Sequence, residues 1–136
     1  MASTVAATLV LHVLIVLFGA SLIDKSYNTL LLASFLAIST VMPAFESLPL
    51  TSSWIKIYLH HSPTTTSEIY AYTQALGALI GAWLGAIVLP LDWERDWQEW
   101  PISCVISTFL GHLVGVAAGF AWTMIKLIQP DKKKTE

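Results

Sequence analysis

Charged side chains are scarce in this chain of 136 residues: only 12% are Asp, Glu, Lys or Arg, roughly half the share in soluble domains. They are also clustered, so four stretches contain none of them: residues 1–23, 26–45, 69–91 and 100–125. Each can cross a hydrocarbon core of about 30 Å as a helix of roughly 20 residues. A soluble bundle would need a polar face on every helix, which these stretches lack. We therefore predict an all-α, polytopic membrane protein with about four transmembrane helices.

The features of a secretory signal peptide are also lacking. Residues 1–11 contain no Lys or Arg, and Phe18 interrupts the small-residue pattern that ends at Ala20, whereas a signal peptide has a basic start and a small-residue cleavage site. We expect an uncleaved first helix and a single transmembrane domain over residues 1–136. The predicted helices cover about 4–23, 27–45, 69–89 and 102–126, and a tail follows at 127–136.

Cysteine and metal-binding motifs are nearly absent as well. Cys104 is the only cysteine, which excludes an internal disulfide, and the net charge of −2 argues against a nucleic-acid partner. His12 and His112 fall inside predicted spans, where ionisable residues are costly and count as functional candidates. Neither belongs to a metal-ligand pair, so we expect neutral imidazoles hydrogen-bonded between helices. We predict no catalytic residue, no metal and no cofactor.

The few positive charges predict an orientation, because Lys and Arg concentrate on the cytoplasmic side. The loop over residues 90–101 has Arg95 as its one basic residue, whereas four lysines lie at the C-terminal end: Lys126, Lys132, Lys133 and Lys134. We expect both termini in the cytoplasm and this loop on the other side. Lys133 and Lys134 also resemble a dilysine retrieval signal of the endoplasmic reticulum. The alternative is a lysine-rich end that anchors the last helix.

Glycine is present in a regular pattern. Two triplets spaced by four residues occur in the third and fourth spans: Gly77, Gly81 and Gly85, then Gly111, Gly115 and Gly119. Residues four apart share a helix face, and small residues let helices pack closely within lipid. The two triplets predict either a tightly packed C-terminal hairpin or paired faces that receive a partner helix. Glycine is also common in membrane helices, and leucine at Gly81 or Gly115 tests between these interpretations.

The loop between the two triplets is rich in tryptophan and carboxylates. Trp93, Trp97 and Trp100 are spaced to share one face of a short amphipathic helix at the membrane surface, and Pro90 and Pro101 bracket it. The acidic residues are Asp92, Glu94, Asp96 and Glu99. Clustered carboxylates can serve in acid–base chemistry or cation binding, but no calcium or zinc spacing is present. Solvated interfacial charges are the interpretation we favour.

This region resembles the Pig-F family of glycosylphosphatidylinositol (GPI) anchor biosynthesis. The resemblance lies in the sequence from Gly81 to Ala86 and in the loop that follows, and it extends to the segment from His12 to Ala20. The signature residues are Trp83, Pro90, Asp92, Trp93, Arg95, Trp97, Trp100, Pro101, Ser103 and Cys104. Family members usually have further helices before the matched segment, and Ser21 stands where they commonly have proline.

The resemblance implies a multi-pass protein of the endoplasmic reticulum membrane that is not itself an enzyme. It would bind and stabilise the ethanolamine-phosphate transferase subunits Pig-O and Pig-G, which add ethanolamine phosphate to GPI mannose. Membrane lipid, including a GPI precursor, is a further candidate ligand. Two alternatives remain: a small lipid carrier or scramblase for GPI precursors, and an intramembrane transferase that uses the loop carboxylates.

Overall fold

The computed structural model describes residues 2–21, 23–47, 51–91 and 94–129. All regular structure in these ranges is helical, so the prediction of an all-α fold is confirmed. The elements are α1 (Ala2–Leu17), α2 (Ser26–Ser47), α3 (Thr51–Tyr58), α4 (Thr66–Ile87), a 3-10 turn (Asp96–Gln98) and α5 (Ile102–Ile128).

Within the described ranges, two helices are long and apolar enough to cross a membrane. They are Ser26–Phe45 of α2 and Ile102–Ile128 of α5. The first helix is apolar but shorter, with 16 residues, and α4 begins with the polar residues Thr66, Ser67 and Glu68. A total of four spanning helices therefore stays a prediction.

The first helix ends six residues earlier than the predicted end at residue 23, because a glycine closes it. Gly19 has a φ of 108°, a conformation that glycine adopts without the penalty other residues face. The amide of Gly19 donates to the carbonyl of Val16, and the amide of Ala20 donates to the carbonyl of Ile15. This is the Schellman arrangement that satisfies the last carbonyls of a helix.

The sequence interpretation missed α3, which lies in what reads as a connection between two spans. Its Ile57 is completely buried and packs in one cluster with Ala44 of α2 and Ala71 of α4. This contact attaches the short helix to the longer ones. The other main cluster consists of Leu32 and Leu36 of α2 with Cys104 of α5.

The helices are arranged around α2 and α4. The most extensive contact joins α4 to α5, the next joins α1 to α2, and α2 packs against α4. The chain thus forms two helix pairs, α1–α2 and α4–α5, that meet through α2 and α4. The candidate functional features lie on the α4–α5 pair and at the two ends of the helices.

Candidate functional site

The α4–α5 contact is made through the glycines. A methyl group at Gly77 would collide with the carbonyl oxygen of Gly111, and one at Gly111 would collide with the carbonyl oxygen of Gly77. The two backbones therefore touch, which only residues without a side chain allow. The contact is reciprocal, so neither helix could accept even alanine here without moving.

The other glycines continue this contact along both helices. A methyl group at Gly81 would collide with the carbonyl oxygen of Ser107, and one at Gly115 would collide with that of Thr73. At Gly85 it would lie 2.7 Å from the Cα of Cys104. Gly119 differs, since its nearest neighbours are side-chain atoms of Thr73 and Tyr70. The glycine faces of α4 and α5 thus pack against each other. A role for these glycines in binding a partner stays a prediction.

The opposite faces of the pair are apolar and exposed. On α5, Leu110 is 55% exposed and Val114 is 67% exposed. On α4, Trp83 is 67% exposed and Leu84 is 51% exposed. Contiguous apolar surface of this kind contacts either lipid or another protein. The outer face of the pair, away from the glycines, is therefore one surface available to a partner.

The tryptophan-rich loop docks on the beginning of α2. The indole Nε1 of Trp100 donates to Oγ1 of Thr29 at 3.1 Å, and Thr29 is completely buried. Nearby, the Lys25 ammonium lies 2.9 Å from a carboxylate oxygen of Glu99. These two contacts join the loop to the other helix pair.

The prediction of a short amphipathic helix in this loop is wrong over residues 94–101. Only Asp96–Gln98 are helical, as a single 3-10 turn. The Gln98 side chain turns back and donates to the carbonyl of Val88 at 2.9 Å, which holds a compact turn in place of an extended helix. Trp97 is 43% exposed, whereas Trp100 is half-buried and bonded to Thr29. Asp92 and Trp93 lie outside the described residues.

The hydrogen bond between Trp100 and Thr29 predicts that substitutions at these two residues have non-additive effects on stability. We expect Trp100→Phe to lower the free energy of unfolding in detergent by about 1 kcal/mol, because it removes this hydrogen bond. Thr29→Val should lower it somewhat more, because it also removes the bond from Thr29 to the carbonyl of Lys25. The double variant should lose about 1 kcal/mol less than the sum of the two. Trp83→Phe, at an exposed indole, is the control and should change little. Additive losses in the double variant would contradict the coupling.

A polar cluster lies at the opposite end, where α3, α4 and α5 meet. Oε2 of Glu68 accepts hydrogen bonds from the amides of Thr64, at 2.7 Å, and Thr65, at 3.0 Å. It also lies 3.3 Å from the Lys56 ammonium of α3. Lys126 of α5 donates to the carbonyl of Thr64. Glu68, which is only 7% exposed, thus joins α4 to α3, and Lys126 connects α5 to the same cluster through Thr64.

The spacing of Thr65 and Glu68 could have revealed the start of this helix. Thr65 accepts a hydrogen bond from the amide of Glu68 while Glu68 accepts one from the amide of Thr65, which is a capping box of the Thr-x-x-Glu type. The predicted start at residue 69 was therefore three residues late. The contact with Lys56 could not be read from the sequence, because it depends on how α3 docks.

The pKa of the Glu68 carboxyl is lowered from its ordinary value of 4.5 to about 2, chiefly because the Thr65 amide donates to its ionised form. A lowered pKa means that the ionised carboxylate stabilises the folded state fully above pH 4.5. We expect this stabilisation to be lost progressively as the pH falls from 4.5 towards about 2. Amide-exchange protection at Thr64 and Thr65 measures it. The variant Glu68→Gln should lack this pH dependence, and the same dependence in the variant would assign it to another group.

The histidines and Ser103 were also singled out from the sequence. His12 and His112 each have a buried Nδ1 without a hydrogen-bond partner, so the expected interhelical hydrogen bond is wrong for that atom. Ser103 donates to the carbonyl of Gly85 at 3.0 Å. Over the described ranges, no three His, Cys, Asp or Glu residues are grouped so that they could hold a metal ion. Lys133 and Lys134 lie outside the described residues.

These features define an all-helical protein with membrane-length apolar helices and a helix pair joined through glycine. The family model of the GPI biosynthesis protein family Pig-F matches residues 1–120. The chain belongs to this family, as its signature residues predicted. No solved structure matches it.

Similar proteins occur in fungi and mammals. The chain is 40% identical to the glycosylphosphatidylinositol anchor biosynthesis protein 11 of Yarrowia lipolytica, over 90% of this chain and 54% of that protein. It is 37% identical to the human GPI ethanolamine phosphate transferase, stabilizing subunit, over 82% of this chain and 51% of that protein. The mouse protein of the same name is 36% identical over 82% of this chain and 52% of its own length. The chain thus spans about half the length of these curated relatives.

Proposed function

We propose that this chain is a non-catalytic membrane subunit that binds and stabilises GPI ethanolamine-phosphate transferases. In this role it supports the addition of ethanolamine phosphate to GPI mannose, with transferases of the Pig-O and Pig-G types as partners. The proposal is supported by the human and mouse relatives, whose names describe a stabilizing subunit. The structural observation that carries it is the exposed apolar outer face of α5, since a stabilising subunit needs a surface to offer its partner.

We further propose a multi-pass placement in the endoplasmic reticulum membrane, with four spanning helices and both termini in the cytoplasm. α2 and α5 supply two spans by length and composition, and α1 and α4 would supply the others. The Glu68 cluster, with Lys56 and Lys126, then lies at the cytoplasmic end, and the loop that contains Trp100 lies at the lumenal end. The distribution of lysines supports this orientation.

The test is deletion of the gene followed by complementation with variants. We expect the deletion to lower the amount of the transferase subunits and to cause GPI precursors without late ethanolamine phosphate to accumulate. Quantitative blotting and precursor profiling measure these effects. Normal transferase amounts together with a normal precursor profile would overturn the proposal.

Two matched double variants locate the surface. Leu110→Ala with Val114→Ala truncates neighbouring exposed residues of α5, and we expect reduced recovery of the transferase on affinity purification. The control, Leu9→Ala with Val13→Ala, makes a similar change on the exposed face of α1 with the same spacing and should leave recovery unchanged. Equal recovery with both would rule out the outer face of α5 as the contact.

A further inference from the structure

A groove of about 680 Å³ opens between the two helix pairs, at the end that holds the tryptophan-rich loop. Its interior is apolar and is formed by Leu32 and Leu36 of α2 together with Ala82, Ala86 and Leu89 at the end of α4. Its volume lies in the range of sites that bind small molecules. None of the six glycines between α4 and α5, and neither Leu110 nor Val114 of the outer face of α5, is part of this lining.

Among the described residues that line the groove, Lys25 is the one charged residue, and it lies at the mouth. Lys25 lines it together with the polar side chain of Gln98 and the indole of Trp100. The amide nitrogen of Gln98 already donates to Val88, and the indole nitrogen of Trp100 already donates to Thr29. These two bonds hold the side chains in place at the mouth, so we do not assign ligand binding to either nitrogen. The Lys25 ammonium has three donors, and its contact with Glu99 is an exposed ion pair, a type that is weak in water. Lys25 can therefore donate to a further anionic group.

The rise along α2 from the mouth of the groove to its interior corresponds to one leaflet. Leu36 in the interior lies eleven positions after Lys25 at the mouth, and a helical rise of about 1.5 Å per residue makes this about 16.5 Å. Half of a hydrocarbon core of about 30 Å is roughly 15 Å. An acyl chain whose headgroup lies beside Lys25 would therefore end near Leu36, at the bilayer centre.

The charges at this end favour a headgroup without net charge. The two chain segments that supply Lys25 and Gln98 to the mouth, residues 23–25 and 94–99, contain four carboxylates and two cations: Asp24, Glu94, Asp96, Glu99, Lys25 and Arg95. An anionic headgroup would meet this net negative charge, whereas a zwitterionic headgroup can place its phosphate on Lys25 and its positive charge near Glu99.

We propose that the groove binds one zwitterionic glycerophospholipid, with an acyl chain along Leu32 and Leu36, its phosphate on Lys25 and its ammonium towards Glu99. This inference rests on the membrane placement proposed above but not on the transferase partner. It differs from general contact with bilayer lipid, because it assigns one molecule to one groove with its headgroup held by named charges.

Photocrosslinking tests the site. The full chain is reconstituted in nanodiscs that contain a small amount of phosphatidylcholine with a photoactivatable acyl chain, and crosslinked peptides are mapped by mass spectrometry. We expect the crosslinks to concentrate on the groove side of α2 and α4. Ala82→Trp, which fills the interior, should reduce them to the level on the outer helix faces. The matched control Leu84→Trp adds bulk at an exposed position of the same helix turn and should leave them unchanged.

Headgroup recognition is tested separately. Lys25→Gln changes a partly exposed side chain and should weaken capture of the phosphatidylcholine probe roughly fivefold, as expected for the loss of one exposed charge-assisted hydrogen bond. A phosphatidylglycerol probe should crosslink less than the zwitterionic one in the unchanged protein. Even labelling of all exposed apolar faces, preference for the anionic probe, or failure of Lys25→Gln to weaken capture would overturn the proposal. Because no transferase is present, these results do not depend on the proposed partner, and absence of the chain from the nanodiscs would instead refute the membrane placement.

Discussion

Leucine in place of Gly115 is expected to separate α4 from α5 and to lower the free energy of unfolding by about 3 kcal/mol. The reason is that even the first carbon of the new side chain would collide with the carbonyl oxygen of Thr73, and backbone cannot move aside as a side chain can. Gly81→Leu should have an effect of the same size, because it would collide with the carbonyl oxygen of Ser107. Denaturation of the purified chain in detergent, followed by tryptophan fluorescence, measures both.

Two further variants on α5 serve as controls. Ala117→Leu adds a larger side chain two residues from Gly115 at an exposed position, and we expect it to change stability little. Gly119→Ala should be milder than Gly115→Ala, because it meets side-chain atoms of Thr73 and Tyr70 that can adjust. Equal stability of Gly115→Leu and Ala117→Leu would show that the glycine contact is not what joins the two helices.

Removal of the Glu68 side chain should have an effect of similar size. We expect Glu68→Ala to lower the free energy of unfolding by about 3 kcal/mol, because it leaves two amide groups and Lys56 without their buried acceptor. The loss should be greatest at α3, whose ion pair with α4 disappears. Thermal unfolding together with amide exchange over α3 and the start of α4 measures it.

The matched comparison is between a buried and an exposed carboxylate. Glu68→Gln keeps an acceptor for the Thr65 amide but loses the charge, so its effect should be intermediate. Glu99→Gln breaks the exposed pair with Lys25 and should cost less than about 1 kcal/mol. If Glu68→Ala and Glu99→Gln were equally stable, burial of the Glu68 cluster would have no energetic consequence.

The sequence predicted the helical fold and most helix positions, because absence of charge and residue spacing are local properties. The spacing of the glycines predicted packing faces on α4 and α5 and left open a partner helix, and a methyl group at Gly77 or Gly111 would collide with the other helix of the pair. Gly19, which follows the end of α1, was a local signal for that end. The sequence interpretation missed it because the charge-free, apolar stretch continues beyond Gly19.

Other features depend on contacts between distant residues and could not be predicted in this way. The helix α3 lies in a polar connection and is held by burial of Ile57 against two other helices. The tryptophan loop was predicted from helical spacing, but the bonds of Gln98 to Val88 and of Trp100 to Thr29 determine its shape. The groove beside Lys25 exists only because two helix pairs meet at that end.

The reciprocal contact of Gly77 with Gly111 also limits how this protein can evolve. In an ordinary core, a larger side chain on one helix can be accommodated when a facing side chain becomes smaller. Here the facing group is a backbone carbonyl, which no substitution can shorten. A change at either glycine therefore has no compensating change on the opposite helix, and the two positions are constrained independently of each other.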